Sequence, residues 1–553
     1  MEMFSITRFG STPFPRPSRK HLILTALILF SGVSPLWLYG QAQTGMPNEE
    51  DATVKLQEEA VPEASLGQEF IKATVSQTPT GTTISPRLFG LNSFKGFETA
   101  SAARPGYQKA MTYMNPGFIR YHYAGMTNDS KKDKGGWVDY ANQRWDEEKI
   151  VKALSTWRSP TAENMICISG WPKYMDEDND GFLDKSQYEA FATFCAELVR
   201  IINVTHGFKI PYFEITNEKD GRYWVDATRK GKKDDVDELA KIYNLCAEAM
   251  KQVDPSIKTG GPAAMRSDML NPLRRFAEKT KDNLDFFSVH AYASGNLKES
   301  DTNIYRKAKS ISNAGSRVAR MIKEISPERP IEVHLNEYNI SWTWETREPR
   351  MINYKGAVFD ALCFIHFTES GITVTNAWND VDGVYGKMSG DLQLRPAAHV
   401  FHLVNNHFVG KALKIDAPKT AELELFAAKN ESGTAVLAVN RSDNPVGLKV
   451  AFSDLQPKIL KHSKVGEAGF DESMLEYNEL SQDGIMLAGH SVSVFKVETS
   501  SIAPSATPSE TPKVPSAPTE EPQPEMPETQ KQPEETQEKP GLFQRLLNIL
   551  KGN

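Results

Sequence analysis

The stretch Tyr212-Phe213-Glu214-Ile215-Thr216-Asn217-Glu218 has the pattern of a buried β-strand that ends in a polar pair. An Asn-Glu pair at the end of a buried strand is costly unless it has a task. A second stretch, Ile331-Glu332-Val333-His334-Leu335-Asn336-Glu337-Tyr338-Asn339, is again an apolar strand that ends in a carboxylate. The two terminal glutamates are 119 positions apart, which leaves room for about three βα units. Because the carboxyl ends of parallel strands share one face of a barrel, we expect Glu218 and Glu337 to converge there.

Short apolar runs recur along the chain and alternate with segments of helical periodicity. The eight runs are Leu88–Phe94, Phe118–Tyr123, Met165–Trp171, Tyr212–Glu218, Ile257–Ala263, Phe286–Tyr292, Ile331–Glu337 and Ile372–Trp378. Helical spacing marks Tyr188–Ile202, Val236–Val253, Tyr305–Ile325 and Lys355–Ser370. This alternation predicts an α/β fold, a (β/α)8 TIM barrel over residues 84–410. A doubly wound open sheet is the alternative, but no glycine-rich phosphate-binding turn follows the first strand.

The pattern changes on both sides of the predicted barrel. Short alternating runs without helices predict an appended C-terminal antiparallel β-sandwich over residues 411–498, and a strand within residues 67–83, turning at Thr78–Gly81, is expected to join it. Residues 43–66 and the Pro/Glu/Thr-rich residues 499–541 are interpreted as a disordered spacer and linker. Residues 542–553 form a short amphipathic pattern, which is either a frayed tail or a helix that contacts a membrane surface or a partner.

The amino terminus has the pattern of an export signal. Basic residues precede the apolar run Leu22–Phe30, and Gly40-Gln41-Ala42 offers a cleavage site, so we expect residues 1–42 to be a signal peptide. A secreted, periplasmic or cell-surface location follows from this interpretation. The alternative is an uncleaved anchor, because the run extends weakly to Tyr39, at the edge of spanning length.

Charge and cysteine content exclude some classes of protein. The net charge of −7 gives no case for nucleic-acid binding. The four cysteines in 553 residues are too few for a disulfide framework. They are expected to be buried free thiols, and one disulfide is the alternative in an exported protein.

Two carboxylates on one barrel face fit glycoside hydrolysis. One carboxyl group must protonate the departing oxygen, and the other must be ionised to attack or to activate water. Retaining enzymes hold the two groups about 5–5.5 Å apart, whereas inverting enzymes hold them about 6.5–9.5 Å apart.

Several strand ends, in order, resemble those of the clan A retaining glycoside hydrolases, closest to family 39-like enzymes. The resemblance spans about residues 86–497 and rests on Pro86–Gly90, Asn217-Glu218, Gly260–Ala263, Phe286–Tyr292, Asn336–Asn339, and Asp382–Gly386 after Trp378. It implies a retaining hydrolase that acts on a poly- or oligosaccharide and requires no cofactor for catalysis.

The resemblance also implies roles for individual residues. Glu218 would be the acid/base and Glu337 the nucleophile, with Asn217 bound to the sugar 2-hydroxyl and Tyr292 donating to Glu337. The remaining residues expected to line the reacting subsite are His290, Arg120 and His122, with Trp378 and Trp171 as apolar faces for a sugar ring. One departure is Lys219, which stands where most relatives have proline; an ammonium near Glu218 would lower its pKa unless it points away.

A second motif follows the third strand and resembles a calcium loop of the EF-hand or dockerin type. Gly181 supplies the sharp turn, and Gln187 replaces the usual bidentate carboxylate, which predicts weak affinity. The alternative is an acidic surface loop. The candidate ligands are Asp176, Asp178, Asp180, the Phe182 carbonyl, Asp184 and Gln187.

The sequence thus predicts an exported retaining glycoside hydrolase. Two other functions use the same residues. A catalytically inactive carbohydrate-binding barrel would retain polysaccharide without releasing reducing ends, and a transglycosylase would pass the sugar to a sugar acceptor instead of water.

Overall fold

Eight parallel strands close into a barrel in the computed structural model, which describes residues 69–498. The predicted signal peptide, spacer, linker and C-terminal helix lie outside the described residues. The first to eighth barrel strands are Gly90–Ser93, Phe118–Tyr121, Glu163–Ile168, Tyr212–Ile215, Lys258–Ala264, Phe286–Ser294, Glu332–Ser341 and Val374–Ala377. Neighbouring strands pair in parallel, and the eighth pairs with the first, which closes the ring. The predicted (β/α)8 TIM barrel is confirmed.

Helices cover the outside of the barrel, as apolar strands buried on both faces require. The longest helix begins after Ser300, whose hydroxyl accepts a hydrogen bond from the Asn303 N–H as an N-cap. The α-helices are Thr99–Ala102, Pro105–Met114, Glu147–Thr156, Tyr188–Val199, Asp226–Arg229, Val236–Val253, Leu270–Thr280, Asp301–Ile325, Tyr354–Phe367 and Pro396–His407. The 3-10 turns are Pro86–Phe89, Lys95–Phe97, Lys173–Met175, Lys185–Gln187 and Pro349–Ile352, and the π-helical turns are Arg200–Thr205, Gly221–Val225 and Glu479–Asp483. A small hairpin, Val138–Asp139 with Arg144–Trp145, follows the second barrel strand.

A nine-stranded, mostly antiparallel sheet forms the second part of the fold, beside the barrel. In spatial order its strands are Gly469–Glu476, Ile459–Gly466, Ser491–Glu498, Gly433–Asn440, Leu423–Asn430, Gly410–Asp416, Ile71–Ile84, Val446–Phe452 and Ile485–Leu487. One apolar cluster joins residues from opposite ends of this order, such as Leu460 and Leu487. The sheet therefore folds over on itself around a shared core, which confirms the predicted C-terminal sandwich.

The strand that precedes the barrel corrects one detail of the prediction. Ile71–Ile84 continues through the expected turn at Thr78–Gly81 as one 14-residue strand. Its pairing register with Gly410–Asp416 shifts on both sides of Pro79. Such irregularities accommodate a proline, which has no N–H to donate to a neighbouring strand.

The face of the sheet that points away from this core packs against the barrel helices. Phe364, on the helix Tyr354–Phe367, contacts Phe426 of the sheet with ring centroids 5.6 Å apart, and apolar residues of both layers share one core. All four cysteines are buried and free. None of the helices within residues 69–498 combines the length and hydropathy that a membrane span requires.

Candidate active site

Glu218 and Glu337 meet at the carboxyl end of the barrel. Glu337 lies within the seventh strand, and Glu218 follows the fourth. One carboxylate oxygen of each, together with a ring nitrogen of His290, lies within 4.8 Å of the others. An approach this close suits the short spacing of a retaining pair.

A tight backbone turn presents Glu218 to the barrel mouth. Thr216 and Glu218 have φ angles of 69° and 52°, in the left-handed region that β-branched and bulky residues avoid. Neighbouring strand ends hold this turn: the Glu218 N–H donates to the Ala263 carbonyl at 3.0 Å, and the Asn217 N–H donates to Ser169 at 3.3 Å. Local strain that is held in this way is typical of functional sites.

Glu337 is the more deeply placed carboxylate. Its side chain is 7% exposed. It accepts hydrogen bonds from Arg120 Nη1 at 3.0 Å and from the Tyr292 hydroxyl at 2.8 Å. His122 Nε2 lies 3.9 Å from it. These donors fix the orientation of Glu337 and favour its ionised form, as a nucleophile requires.

Glu218 is the more open carboxylate. Its side chain is 34% exposed, and its Oε1 lies 2.8 Å from Nδ1 of His290. A carboxyl group that exchanges protons with a leaving group and then with water needs such access. Glu218 is therefore the solvent-accessible carboxyl group, and Glu337 is the buried one that hydrogen bonds hold in place.

One histidine couples the two carboxyl groups. Burial raises the pKa of Glu337, and the charges of His290 and Arg120 offset this only in part. Burial also acts to raise the pKa of Glu218, but the hydrogen bond and charge of His290 bring it below its usual value. The pKa of His290 is raised, because Glu337 and Glu218 outweigh its burial. The two carboxyl groups therefore favour the charged form of His290, and the three groups titrate together.

These directions are opposite to those that an acid and an ionised nucleophile need. A sugar bound between Glu218 and Glu337 displaces water and changes the desolvation and hydrogen bonding of both carboxyl groups, which shifts the pKa values of the three coupled groups. Exposure and hydrogen bonding are therefore the features that distinguish the two roles.

Arg120 organises the polar interior below the carboxylates. It lies on the second strand, fully buried, and its guanidinium also donates to Glu214 at 2.7 Å, Asn92 at 2.9 Å and Asn217 at 2.6 Å. Burial raises the pKa of Glu214, but Arg120 brings it below its usual range, so the pair is ionic. Asn336 also donates to Glu214.

Sequence reasoning did not include Glu214 or its partners Asn92 and Asn336. The available signal was a carboxylate in the middle of an otherwise apolar strand. Such a residue must be paired when it is buried.

Lys219 points away from the acid/base position. Its Nζ lies 4.3 Å from the ring centroid of Trp171, and Lys219 is not among the groups that shift the pKa of Glu218. The replacement of proline by lysine therefore leaves Glu218 unaffected by the added charge.

The predicted aromatic faces differ in their placement. Trp378 lies beside His122, with ring centroids 5.4 Å apart, at the edge of the carboxylate site. Trp171 is buried against Phe191 and Tyr223 with Lys219 over its ring. The structure thus brings Asn217, Tyr292, His290, Arg120, His122 and Trp378 around the glutamates and places Trp171 behind Lys219.

The predicted calcium loop brings three carboxylates together. Ligand atoms of Asp176, Asp178 and Asp184 lie within 4.8 Å of one another. Asp180 is outside this group, and its carboxylate accepts a hydrogen bond from the Phe182 N–H at 2.8 Å. Gln187 ends a 3-10 turn after the cluster. Three oxygen donors at this spacing suit a hard cation.

Comparisons with known proteins agree with this architecture. Residues 179–378 match the model of glycosyl hydrolases family 39. A curated relative, a beta-xylosidase from Caldicellulosiruptor saccharolyticus, is 26% identical over 159 residues, which is 28% of this chain and 31% of the relative. A beta-xylosidase from Geobacillus stearothermophilus is 27% identical over 139 residues, which is 24% of this chain and 26% of the relative. The chain thus matches about a third or less of the length of these relatives.

Solved structures share the whole fold. A monomeric beta-xylosidase from Caulobacter crescentus superposes with a TM-score of 0.59 at 15% identity, covering 77% of this chain and 99% of that chain. An alpha-L-arabinofuranosidase from Thermotoga maritima gives 0.56 at 16% identity, covering 77% and 100%. The stretch that matches the family model includes both glutamates, so the part of the barrel that carries Glu218 and Glu337 is similar to glycosyl hydrolases family 39.

Proposed function

We propose that the protein is a retaining glycoside hydrolase that cleaves O-glycosidic bonds in an oligo- or polysaccharide by double displacement. The observation that carries the proposal is the approach of Glu218 and Glu337 within 4.8 Å at one barrel mouth, one open and one clamped. Because the curated relatives are named beta-xylosidases, β-xylosides are the first substrates to test.

The reaction follows from the two environments. Glu218 protonates the glycosidic oxygen while Glu337 attacks the anomeric carbon, which forms a glycosyl ester on Glu337 and releases the leaving sugar. Glu218, now ionised, takes a proton from water, and the resulting attack frees Glu337. Asn217, held by Arg120, is placed to bind the sugar 2-hydroxyl. No step needs a cofactor.

Two variants test the assignment. Glu337→Gln should lose activity by about 10⁴-fold or more on both 4-nitrophenyl β-xyloside and xylobiose, because no glycosyl ester can form. Glu218→Ala should lose about 10²–10⁴-fold on xylobiose and much less on the nitrophenyl substrate, whose leaving group needs no proton. Initial rates measure both losses, and Glu324→Gln, an exposed carboxylate in the last turn of the helix Asp301–Ile325, is the control.

Other outcomes would contradict the proposal. Full activity of Glu337→Gln would reject it outright, and equal losses in Glu218→Ala on both substrates would reject the acid/base role. Polysaccharide retention by the wild type without release of reducing ends would indicate an inactive binding barrel. Products longer than the substrate would indicate a transglycosylase.

Two accessory features belong to the proposal. Export is supported by the basic and apolar pattern of residues 1–42, and an amphipathic pattern over residues 542–553 supports a weak membrane or partner contact. We also propose that the loop after the third strand binds a structural Ca²⁺ through Asp176, Asp178 and Asp184, supported by the convergence of these carboxylates.

A further inference from the structure

Two tryptophans project from the rim of the barrel mouth. Trp342 is 57% exposed and Trp344 is 50% exposed. Among the aromatic side chains of residues 69–498, these two alone are classed as exposed, and both follow the strand that carries Glu337. Exposed indole rings next to a polar cleft are a mark of a binding surface.

Both rings are anchored by their surroundings despite this exposure. Trp342 packs over Gly295, where a Cβ would overlap the indole ring. Trp344 is held by Tyr385. Its backbone N–H donates to the Tyr385 hydroxyl at 2.8 Å, and the two rings meet edge-on with centroids 4.8 Å apart. Trp344 also has a φ of 54°, a conformation that contacts on several sides must hold. The two exposed faces are therefore pre-organised.

Ring contacts connect this rim to the reacting carboxylates. Trp344 lies 6.2 Å from Trp378 between centroids, and Trp378 lies 5.4 Å from His122, which is 3.9 Å from Glu337. Phe94, after the first strand, contacts Trp344 and Trp378, with ring centroids 6.2 and 5.7 Å away. Trp344 is thus connected through ring contacts to the carboxylate site.

Trp344 lies on one side of the cleft, and Trp342 lies beside Gly295, which follows the sixth strand. Trp344 contacts residues that follow the eighth and first strands, and Glu218 follows the fourth, which lies across the closed ring from the eighth. In the proposed reaction the leaving sugar departs beside the acid/base. The aromatic rim therefore faces the part of the substrate that remains on Glu337.

We propose that Trp342 and Trp344 form a stacking platform for the sugar units next to the one that reacts, on the side that stays bound to the nucleophile. This proposal rests on the proposed function and deepens it: the substrate is a chain, and the protein holds at least two of its sugars on that side.

Binding to an inactive form tests the platform separately from catalysis. Glu337→Gln is run in native gels that contain soluble xylan, arabinan, mixed-linkage β-glucan or mannan. Adding Trp344→Asn, a residue tolerated at positive φ, should weaken retention by about tenfold or more. Trp342→Ala should weaken it as well, and Gly295→Ala should do so by displacing the Trp342 ring. Met474→Ala, an exposed apolar residue on the sheet, is the matched control.

The outcomes separate the two proposals. Retention that depends on Trp344 or Trp342 but not on Met474 supports the platform, even if the wild type hydrolyses nothing and the proposed function fails. Equal retention of all variants, or no retention in any of the four gels, overturns the platform and leaves the hydrolase test unaffected. Thermal unfolding of each variant verifies that it is folded.

Discussion

At the residue scale, a single hydrogen bond from Tyr292 contributes to the pKa of Glu337. Glu337 is buried, which raises its pKa, and the Tyr292 hydroxyl is one of the groups that lower it. Tyr292 is itself buried, and burial together with Glu337 raises its pKa well above the usual value, so it remains a donor throughout the working range. The tyrosine therefore favours the ionised form of Glu337, the proposed nucleophile.

Replacing Tyr292 by phenylalanine should move the acidic limb of the kcat/KM profile to higher pH. The hydroxyl lowers the pKa of Glu337, so its loss raises that pKa and reduces the ionised fraction at a given acidic pH. A hydrogen bond to a charged group corresponds to a shift of about 1 pH unit or more. The pH–rate profile measures the shift. Tyr243→Phe, whose hydroxyl donates to the Asn283 carbonyl away from the site, is the control; an unchanged limb in Tyr292→Phe would contradict this role.

At the scale of elements, the loop after the third strand has two features: a group of carboxylates and an aromatic residue that packs onto the barrel. Its first part turns at Gly181 and collects carboxylates, and Phe182 packs against Tyr223 with centroids 4.8 Å apart. Tyr223 also contacts Trp171, which carries the Lys219 ammonium. A cation in the loop would therefore stabilise the layer behind the acid/base turn rather than take part in the chemistry.

Calcium at 10 mM should raise the melting temperature of the wild type. For a weak extracellular-type site, with a Kd of about 10⁻⁴–10⁻³ M, the stabilisation is about 1–3 kcal/mol. Asp178→Asn should abolish the rise, because it removes one of three converging carboxylates. Glu177→Gln removes the same charge from the same loop without touching the cluster and should keep the rise. Differential scanning fluorimetry measures the effect, and no rise in the wild type would refute the calcium site.

The whole molecule depends on a strand that precedes the barrel in the chain. Ile71–Ile84 pairs antiparallel with Gly410–Asp416 and parallel with Val446–Phe452. It thus links the two parts of the sandwich, and Val75 lies fully buried in the shared core. Because the sheet also packs on barrel helices, a destabilising substitution in this strand should lower the stability of the barrel as well as that of the sheet.

Val75→Asn should destabilise the protein by about 3 kcal/mol or more, since it places an amide without a partner in an apolar core. Thr74→Asn, on the exposed side of the same strand, should change the free energy of unfolding by no more than about 1 kcal/mol. Denaturant unfolding measures both. Equal effects at the two positions would show that the strand does not contribute its inward face to the core.

The sequence by itself determined the order of the eight strands and the place of Glu218 after the fourth strand and of Glu337 on the seventh, because apolar periodicity is a local property. The seventh strand, expected to end at Glu337, continues to Ser341. Parallel strands then bring their carboxyl ends to one face, so residues far apart in the chain could be grouped in advance. The strands Gly410–Asp416, Ile459–Gly466 and Gly469–Glu476 were not predicted. The last of these is largely exposed and has little apolar alternation.

Only the tertiary structure decided where the side chains point. The pairing of Glu214 with Arg120, the turn of Lys219 onto Trp171 and the exposure of Trp344 all depend on contacts between segments that are distant in sequence. The same holds for the spacing of the two carboxylates and for the position of His290 beside both of them. Side-chain direction and burial are set by packing among several strand ends at once, and no local pattern in the chain encodes them.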